Sequence, residues 1–243
     1  MNLLLIGYGR MGRTHAERAP RHGAHVTGIA DPAHGRPLAE LDLAAYDVAI
    51  EFTRPEAAFD NIATCLRAGL PVVSGSTGWL ARFEEARALA ETTGGALFYA
   101  SNYSVGVNLF FHFTGLLAQE MARWNEYHPV LTEIHHLHKL DSPSGTALTT
   151  AAAVLRHAPG LSGWQEVAPG AEASVPADKL PLVARREGEV IGAHDITWHS
   201  PLDELALRHV AHSRAGFANG ALRAAQWLIG RKGTFGMAEM LGL

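Results

Sequence analysis

The side chains best suited to chemistry lie together between Glu133 and Ala147, in the segment EIHHLHKLDSPSGTA. His135 and Lys139 stand four residues apart in it, and Lys is scarce elsewhere, because only three of the 20 basic residues are Lys. An imidazole exchanges protons near neutral pH, since its reference pKa is about 6.5, and an ammonium group attracts anions. We therefore predict that His135 and Lys139 are catalytic residues that protonate a reduced intermediate.

A turn suited to binding an anion follows, at Ser144-Gly145-Thr146, directly before an alanine-rich stretch that predicts a helix. A helix N-terminus presents free backbone N–H groups and a partial positive charge, and these residues add hydroxyl groups. We predict that Ser144, Gly145 and Thr146 bind a carboxylate of the substrate. The nearby histidines and Lys139 supply positive charge for a second carboxylate.

Two other interpretations of this segment stay open. His135, His136 and His138 could bind zinc, but in a strand His136 and His138 share one face while His135 points to the other. The sequence also has no His-Glu-x-x-His helix and only one cysteine, so we predict no metal. Alternatively, the three histidines could line a solvated strand edge without a catalytic role.

A glycine-rich turn follows the first apolar run, Asn2–Ile6, and precedes a stretch with helical propensity. Its sequence, Gly7-Tyr8-Gly9-Arg10-Met11-Gly12, fits G-x-G-x-x-G, in which the first glycine permits a tight turn and the second lets a pyrophosphate approach the backbone. The third glycine permits close packing of helix on strand, and the helix N-terminus attracts phosphates. We predict that these six residues bind a dinucleotide. An ordinary strand–turn–helix that tolerates three glycines is the alternative.

Asp31 bears on the choice of cofactor. It directly follows the second apolar run, His25–Ala30, and lies 19 residues after Gly12. At this position a carboxylate can bind the adenosine ribose hydroxyls. A carboxylate repels a 2′-phosphate, and the nearest arginines are Arg10 and Arg36 rather than a direct neighbour. We predict that NADH is preferred, and leave NADPH open as a second cofactor.

Two more loops follow predicted strands, at Ser74–Gly78 and at Ala100–Tyr103. Ligands of open α/β sheets bind beyond the carboxyl ends of the strands, so we expect both loops to meet the nicotinamide half of the cofactor. Turn formation alone is the alternative for each loop. The predicted cofactor residues here are Gly75, Ser76, Thr77, Ala100, Ser101, Asn102 and Tyr103.

The elements that must position these residues alternate in the first part of the chain. The predicted strands are Asn2–Ile6, His25–Ala30, Tyr46–Phe52, Pro71–Ser74 and Ala96–Ala100, and the predicted helices include Pro55–Ala68 and Trp79–Glu91. Strands and helices at this spacing predict βαβ units, and hence an α/β fold with a parallel sheet of Rossmann type.

After Asn102 the pattern predicts a second, α+β domain with a mixed or antiparallel sheet. Helices are expected at Ser104–Arg123 and Thr146–His157, a strand at His128–Leu137, a loop at Pro159–Pro181, and antiparallel strands within Leu182–Ala211. A helix at Gly216–Ile229 suggests a return to the first domain. We predict a dinucleotide-binding domain at 1–103 that 214–243 rejoin, and a substrate-binding domain at 104–213.

Composition argues against several other classes of protein. The chain is 47% hydrophobic and 18% charged, as is typical of a globular protein. A net charge of −4 argues against non-specific nucleic-acid binding, which needs a basic face. One cysteine argues against a disulfide framework, and no stretch approaches the roughly 18 uninterrupted apolar residues of a membrane span. We expect a soluble, cytoplasmic protein that acts on a small molecule.

Several motifs resemble those of the 4-hydroxy-tetrahydrodipicolinate reductase family, also called dihydrodipicolinate reductases, of lysine biosynthesis. The pattern E-x-H-H-x-x-K-x-D-x-P-S-G-T-A is matched by Glu133–Ala147, and G-x-G-R-M-G by Gly7–Gly12. The stretches N-[FY]-S-x-G-x-N and G-x-x-x-G-x-H are similar to Asn102–Asn108 and Gly188–His194. The closing segment of the family resembles Ser213-Arg214 and Phe217–Ala221, so the resemblance spans almost the whole chain.

The resemblance implies a nicotinamide-dependent reduction of the cyclic imine derived from 4-hydroxy-tetrahydrodipicolinate, giving tetrahydrodipicolinate. Carried over by position, it makes His135 the proton donor and acceptor, Lys139 a second donor or positive anchor, and His136 a substrate ligand. It also implies a homotetramer assembled through the sheet of the second domain. Closure of the domains around substrate is implied as well, with hinges near Tyr103 and Arg214.

The sequence departs from the family pattern at a few conservative positions. Glu51 replaces the usual Asp, Ser74 and Ser76 stand where other small residues are common, and Ser142 replaces Ala. Two competing interpretations are another two-domain Rossmann dehydrogenase acting on a small amino or carboxylic acid, and a non-catalytic NAD(H)-sensing module. Neither needs His135, Lys139 and the Ser144–Thr146 turn together.

Overall fold

The chain divides into two units in a computed structural model that describes all 243 residues. The first unit joins Met1–Val105 to Ala215–Leu243, and the second comprises Gly106–Arg214. The strands are β1 (Asn2–Ile6), β2 (His25–Ala30), β3 (Val48–Glu51), β4 (Val72–Ser74), β5 (Ala96–Tyr99), β6 (His128–His135), β7 (Gly163–Val167), β8 (Lys179–Arg186), β9 (Ala193–His199), β10 (Glu204–Val210) and β11 (Gly233–Phe235). The helices are α1 (Arg10–Arg18), α2 (Pro55–Arg67), α3 (Phe83–Thr93), α4 (Val105–Met121), α5 (Gly145–His157), α6 (Ala215–Leu228) and α7 (Met237–Leu241).

The first unit is built on six parallel strands in the order β11–β5–β4–β3–β1–β2. Leu3, Leu4 and Leu5 of β1 are fully buried, as expected for a central strand covered on both faces. The order reverses at β1, because β2 pairs on one side and β3 on the other. Such a reversal opens a crevice beyond the carboxyl ends of the two diverging strands, where ligands of this fold bind. The predicted parallel sheet is confirmed.

Helices cover both faces of this sheet, and the alternation of side chains along β1 separates the two cores. Leu5 packs in a cluster with Ala221 of α6, whereas Leu4 packs in the opposite cluster with Ile62 of α2 and Ala86 of α3. Pro55 lies in the first turn of α2, where its missing N–H costs nothing and its fixed φ favours the helix. The helices therefore hold the carboxyl ends of β1, β3 and β4 in place.

The second unit contains a mixed five-stranded sheet in the order β10–β9–β6–β8–β7. β6 pairs antiparallel with β9 and parallel with β8. Leu131 of β6 packs with Phe110 of α4 and Val154 of α5 in the core of the unit. The two-residue period then places Glu133 and His135 on this same covered face of β6, where both are buried.

Three features of the second half and of the C-terminus differ from the sequence-based expectations. The predicted loop at Pro159–Pro181 contains β7 and the start of β8. The antiparallel expectation for Leu182–Ala211 is correct for β9 and β10 but wrong for β8, which runs parallel to both β6 and β7 because the chain returns through α5 before β7 and through residues 168–178 before β8. The short β11 was not expected, since three residues carry too little pattern. No helix has the length and apolar composition that crossing a membrane requires.

Candidate active site

The glycine-rich turn after β1 has the geometry that a phosphate-binding loop needs. Gly7 has φ of +91°, and a Cβ there would lie 2.3 Å from the carbonyl oxygen of Phe52. A Cβ on Gly12 would lie 2.3 Å from the carbonyl oxygen of Gly7, so α1 packs directly on the turn. A Cβ on Gly9, by contrast, would meet nothing within 4 Å. The turn therefore leaves open space at its middle glycine, where a phosphate group can approach the backbone.

Asp31 follows β2 and is tied to the same turn. Its Oδ2 accepts a hydrogen bond from the Tyr8 N–H at 2.9 Å, and its Oδ1 accepts from the Ala33 N–H at 2.9 Å and lies 3.0 Å from His34 Nδ1. The Tyr8 N–H, together with His34 and Ala33, outweighs the opposing effect of burial and lowers the pKa of Asp31 to about 2. The carboxylate is thus ionised, and it remains 16% exposed. It can accept further hydrogen bonds from ribose hydroxyls.

A cavity of about 610 Å³ lies at this edge of the sheet. Its lining includes Gly7, Gly9 and Asp31 together with residues of the loop after β3 and of α2. Phe52, Thr53, Arg54, Ala57 and Asn61 belong to this second group, and we did not predict them from the sequence. Their position after the strand next to β1 was the available signal. The open glycine and the ionised Asp31 in one cavity fit a dinucleotide, with Arg54 adding a positive charge.

A buried carboxylate, Glu51, joins the loops that follow β3 and β4. Glu51 is fully buried, and its Oε2 accepts from the Ser74 hydroxyl at 2.6 Å. Its Oε1 accepts from the Ser76 hydroxyl at 2.8 Å and the Thr53 N–H at 3.0 Å, and the Thr53 hydroxyl also contacts it. Three of the four positions that depart from the family pattern, Glu51, Ser74 and Ser76, therefore form one hydrogen-bonded network.

Two of the other residues predicted to bind the nicotinamide half of the cofactor, Gly75 and Tyr103, pack against other groups of the protein. Gly75 lies against the ring of Phe52, where a Cβ would come within 2.1 Å of Cζ. The buried Tyr103 hydroxyl donates to the Ser74 carbonyl at 2.6 Å, so Tyr103, like Ser76, uses its polar group inside the protein. Burial raises the pKa of Tyr103.

The remaining residues predicted to bind the cofactor differ in how exposed they are to solvent. Thr77 and Ser101 are exposed. Asn102 Oδ1 accepts from the Ser104 N–H at 2.9 Å, which fixes the start of the segment that follows. Ala100 is buried, whereas Arg10 is exposed and Met11 half-buried on the first turn of α1. Thr77 and Ser101 are therefore the exposed hydroxyl residues of the two loops.

In the second unit, Glu133, His135 and His194 converge at one end of the covered sheet face. Glu133 Oε2 lies 3.3 Å from His135 Nδ1 and 3.5 Å from His194 Nε2. Glu133 is fully buried, and the exposures of His135 and His194 are 7% and 4%. Burial opposes ionisation of Glu133, but His135, His194 and Ser144 outweigh it and hold its pKa well below the ordinary value. A buried anion between two imidazoles results.

The predicted anion-binding turn starts at the same carboxylate. The Ser144 N–H donates to Glu133 Oε1 at 2.9 Å, and the Ser144 hydroxyl accepts from the Ala147 N–H at 3.1 Å as the N-cap of α5. Both polar groups of Ser144 are thus engaged inside the protein. The first two helical N–H groups, those of Gly145 and Thr146, are left to an external anion.

Lys139 and His136 point to other partners. Lys139 Nζ contacts both oxygens of Asp141, at 2.7 and 2.9 Å, and this pairing lowers the pKa of Asp141. His136 Nε2 lies 3.4 Å from a guanidinium nitrogen of Arg214, so the Arg214 cation lies beside His136 in addition to the nearby Lys139. The exposed His138 lies 3.7 Å from Glu189. His135, His136 and His138 therefore face three different partners rather than one shared point.

The sequence did not predict that His194 lies close to Glu133 and His135. The two-residue period predicts that positions 133 and 135 share a face, but only the pairing of β6 with β9 brings His194 opposite Glu133. The ligand atoms of these three residues all lie within 4.8 Å of one another, a spacing that a metal ion would also accept. Arg186, 3.6 Å from Glu133 Oε1, is a further cation that we did not anticipate.

Comparison with known proteins identifies relatives of both units. The family model described as "Dihydrodipicolinate reductase, N-terminus" matches residues 1–103, and that described as "Dihydrodipicolinate reductase, C-terminus" matches residues 106–241. A protein of Christiangramia forsetii named 4-hydroxy-tetrahydrodipicolinate reductase is 42% identical over 243 residues, which cover 99% of this chain and 98% of that protein. One of the same name from Neisseria gonorrhoeae is 34% identical, with 97% of this chain and 94% of that protein covered.

Solved structures show the same fold. The structure titled "Dipicolinate bound Dihydrodipicolinate reductase from Paenisporosarcina sp. TG-14" has a TM-score of 0.79 at 22% identity, and covers 98% of this chain and 99% of its own. An amine dehydrogenase from Mycobacterium smegmatis has a lower TM-score of 0.58 at 14% identity, with coverage of 96% and 93%. Both family models and the sequence relatives agree, and the chain belongs to the dihydrodipicolinate reductase family.

Proposed function

We propose that this chain catalyses the NADH-dependent reduction of 4-hydroxy-tetrahydrodipicolinate, through its dehydrated cyclic imine, to tetrahydrodipicolinate in lysine and diaminopimelate biosynthesis. The observation that carries the proposal is a single buried carboxylate, Glu133, which contacts both His135 and the start of α5. A proton donor and an anion-binding turn are thereby held side by side. A dicarboxylate imine needs both, whereas a protein that only senses NAD(H) needs neither. Family membership supports the choice of substrate.

The substrate is bound through its two carboxylates. One accepts hydrogen bonds from the N–H groups of Gly145 and Thr146, where the partial positive charge at the start of α5 favours an anion. The other binds between Lys139 and His136, with Arg214 adding charge beside His136. Lys139 then exchanges its present partner, Asp141, for the substrate carboxylate. Ser144 shapes the turn rather than contacting the substrate.

The chemistry divides between cofactor and protein. When bound, the reduced nicotinamide supplies a hydride to the conjugated imine. The enamine that results must be protonated at carbon, and His135 donates this proton as an imidazolium. Lys139 is a second donor and stabilises negative charge on the bound dicarboxylate. Thr77, Ser101 and the backbone of Gly75, Ala100 and Asn102 orient the nicotinamide half of the cofactor.

NADH is the preferred cofactor in this proposal, and NADPH is a weaker alternative. Gly7–Gly12 bind the pyrophosphate, and the ionised Asp31 accepts hydrogen bonds from the adenosine ribose hydroxyls. A 2′-phosphate would stand against that carboxylate. Arg13, whose guanidinium nitrogen lies 3.0 Å from Nε2 of the Asp31-bonded His34, adds a positive charge that offsets part of the repulsion and makes some NADPH turnover reasonable.

The enzyme assembles as a homotetramer through the sheet of the second unit. Helices α4 and α5 cover one face of that sheet, while Val130, Thr132 and Ile134 point to the other face and remain partly exposed. A face with this neutral and apolar character suits a contact between copies of the chain. The reaction draws on the soluble NADH pool, so we place the enzyme in the cytoplasm, with no nucleic-acid or membrane partner.

An assay with substrate made in situ tests the proposal. The preceding pathway enzyme would condense pyruvate with aspartate semialdehyde, and loss of reduced-nicotinamide absorbance would be followed with NADH and NADPH in parallel. Consumption that requires both protein and substrate is expected, faster with NADH. Measurable NADH binding without consumption of either cofactor would contradict the proposal, and would favour another dehydrogenase or an NAD(H)-sensing module.

A further inference from the structure

We propose that Glu133 is a positioning residue that fixes the tautomer and orientation of His135, so that Nε2 is the atom that exchanges the proton with substrate. The inference rests on the proposed function, because it assigns the atoms of the proposed proton donor. It adds Glu133, and His194 behind it, to the residues on which turnover depends.

The contacts of Glu133 leave its carboxylate little freedom. Oε1 accepts the Ser144 N–H at 2.9 Å and lies 3.6 Å from an Arg186 guanidinium nitrogen. Oε2 lies 3.3 Å from His135 Nδ1 and 3.5 Å from His194 Nε2. Glu133 has no exposed surface and is anchored through the hydrogen bond to Oε1, while Oε2 and His135 Nδ1 are both buried and have no other hydrogen-bond partner. The carboxylate is therefore a fixed acceptor facing Nδ1.

The opposite edge of the His135 ring faces Gly192. A Cβ built on Gly192 would lie 3.1 Å from His135 Nε2 and 3.4 Å from Cδ2. The position beside Nε2 thus carries no side chain, whereas Nδ1 lies against the buried carboxylate. Since a hydrogen on Nδ1 faces an anion, the neutral ring keeps its hydrogen there and leaves the Nε2 lone pair for the exchangeable proton.

His194 supports this arrangement from the other side of the carboxylate. Its ring centroid lies 5.1 Å from that of His135, and its Nε2 lies 3.3 Å from the Ser144 hydroxyl. Ser144 is also the N-cap of α5, so the same network connects the proton donor to the anion-binding turn. Movement of Glu133 would therefore disturb His135 directly and the turn through Ser144.

Glu133→Gln is the direct test, because the amide keeps the shape of the side chain but can present an N–H to Nδ1. We expect kcat to fall by about 10²–10⁴-fold, as when a buried carboxylate that orients a catalytic histidine is lost. NADH affinity, measured by fluorescence, should stay unchanged.

Glu189→Gln is the matched control, since it removes a carboxylate 3.7 Å from a histidine, His138, at an exposed site of the same unit. It should leave kcat unchanged. A purely structural role for Glu133, as a brace for Ser144, would instead raise KM for the dicarboxylate substrate with kcat intact. That outcome, or a kcat within twofold of the unmodified enzyme, would overturn the proposal.

A second measurement on the unmodified chain covers the case in which Glu133→Gln does not fold. The ¹⁵N shifts of histidine-labelled protein at alkaline pH report the tautomer of each ring, and His135→Asn identifies the His135 signals by their loss. We expect hydrogen on Nδ1, and hydrogen on Nε2 would refute the proposal even if the enzyme proved inactive on the proposed substrate. Stoichiometric zinc that is lost in Glu133→Gln would also refute it, because the three side chains would then be metal ligands.

Discussion

The buried Glu51 network leads to a quantitative prediction for the first unit. The Ser74 and Ser76 hydroxyls donate to this fully buried carboxylate at 2.6 and 2.8 Å. Changing Ser74 to Ala keeps the buried charge and removes one of its compensating donors. A hydrogen bond to a charged group contributes about 1.5–3 kcal/mol, so we expect Ser74→Ala to lower the free energy of unfolding by about 2 kcal/mol. The double variant with Ser76→Ala should lose about 3–5 kcal/mol, as when a buried charge loses its partners.

Neutralising the carboxylate should reduce this cost. In the Glu51→Gln background, Ser74 bonds a neutral amide, and a hydrogen bond between neutral groups contributes about 0.5–1.5 kcal/mol. A double-mutant cycle over positions 51 and 74 should therefore give a coupling free energy of about 1 kcal/mol. The sign of this coupling identifies charge, rather than packing, as the reason why the two residues occur together.

The chain provides its own probe for the assay. Cys65, the one cysteine, is fully buried in the first unit, and burial, with a smaller effect of Glu51, raises its pKa to about 12. Its labelling by a thiol reagent at increasing urea concentration reports unfolding of that unit alone. Thr92→Ala, at an exposed position whose hydroxyl donates only to the Ala88 and Leu89 carbonyls of its own helix, is the control and should change stability by less than about 0.5 kcal/mol.

The double-mutant cycle over positions 51 and 74 can also refute a charge-dependent role for the Ser74 hydroxyl. If Ser74→Ala costs the same free energy with Glu51 as with Glu51→Gln, the hydroxyl contributes no charge-dependent stabilisation. The network would then be a consequence of packing alone, and the account of why Glu51, Ser74 and Ser76 depart together from the family pattern would be wrong.

Three further predictions concern the two sites. Gly12→Ala should lower both the Tm and NADH affinity, because its Cβ would lie 2.3 Å from a backbone oxygen. Gly9→Ala should weaken NADH binding at unchanged Tm, because its Cβ would meet no protein atom within 4 Å. If the two variants had equal effects on the Tm in thermal unfolding and on NADH affinity in fluorescence titration, this prediction would be contradicted. Asp31→Asn should lower the ratio of NADH to NADPH turnover. With its pKa lowered to about 2, the Asp31 carboxylate contributes stability above about pH 4 that is lost as the pH falls toward 2. Because a phosphate monoester such as the 2′-phosphate of NADPH loses its second proton at about pH 6, the turnover ratio of the unmodified enzyme should stay constant from about pH 7.5 to about pH 9. His135→Gln and Lys139→Ala should each lower kcat by about 10²-fold or more with NADH affinity preserved, and a parallel loss of NADH binding would count against their catalytic assignment.

Features that depend on local pattern could be predicted from the sequence. The apolar run of β1, the glycines after it and Asp31 after β2 each reflect a requirement of the residues themselves, namely burial on both faces, close backbone approach and a charge at a strand end. The parallel sheet follows from the same alternation of strands and helices. The start of α5 at Gly145, after the Ser144 N-cap, likewise needs only its immediate neighbours.

Features that depend on which strands pair could not be predicted in this way. The direction of β8 is set by two returns of the chain, through α5 before β7 and through residues 168–178 before β8, rather than by its own sequence. Glu51 meets Ser74 because β3 pairs with β4, and Glu133 meets His194 because β6 pairs with β9 across a separation of 61 residues. Pattern alone shows that each of these positions is polar within an apolar strand. Only the pairing of the strands shows which polar groups lie beside the two buried carboxylates.

The transfer of one hydride and one proton to the imine is the central claim, and mass spectrometry of the product tests it most directly. With NADH deuterated at the transferring position and substrate made in situ, the tetrahydrodipicolinate should carry one deuterium from the cofactor. A parallel reaction in D₂O with unlabelled NADH should add solvent deuterium at carbon, at a rate that His135→Gln greatly reduces. Deuterium that stays on the cofactor, or a product mass unchanged after incubation with the protein, would contradict the account.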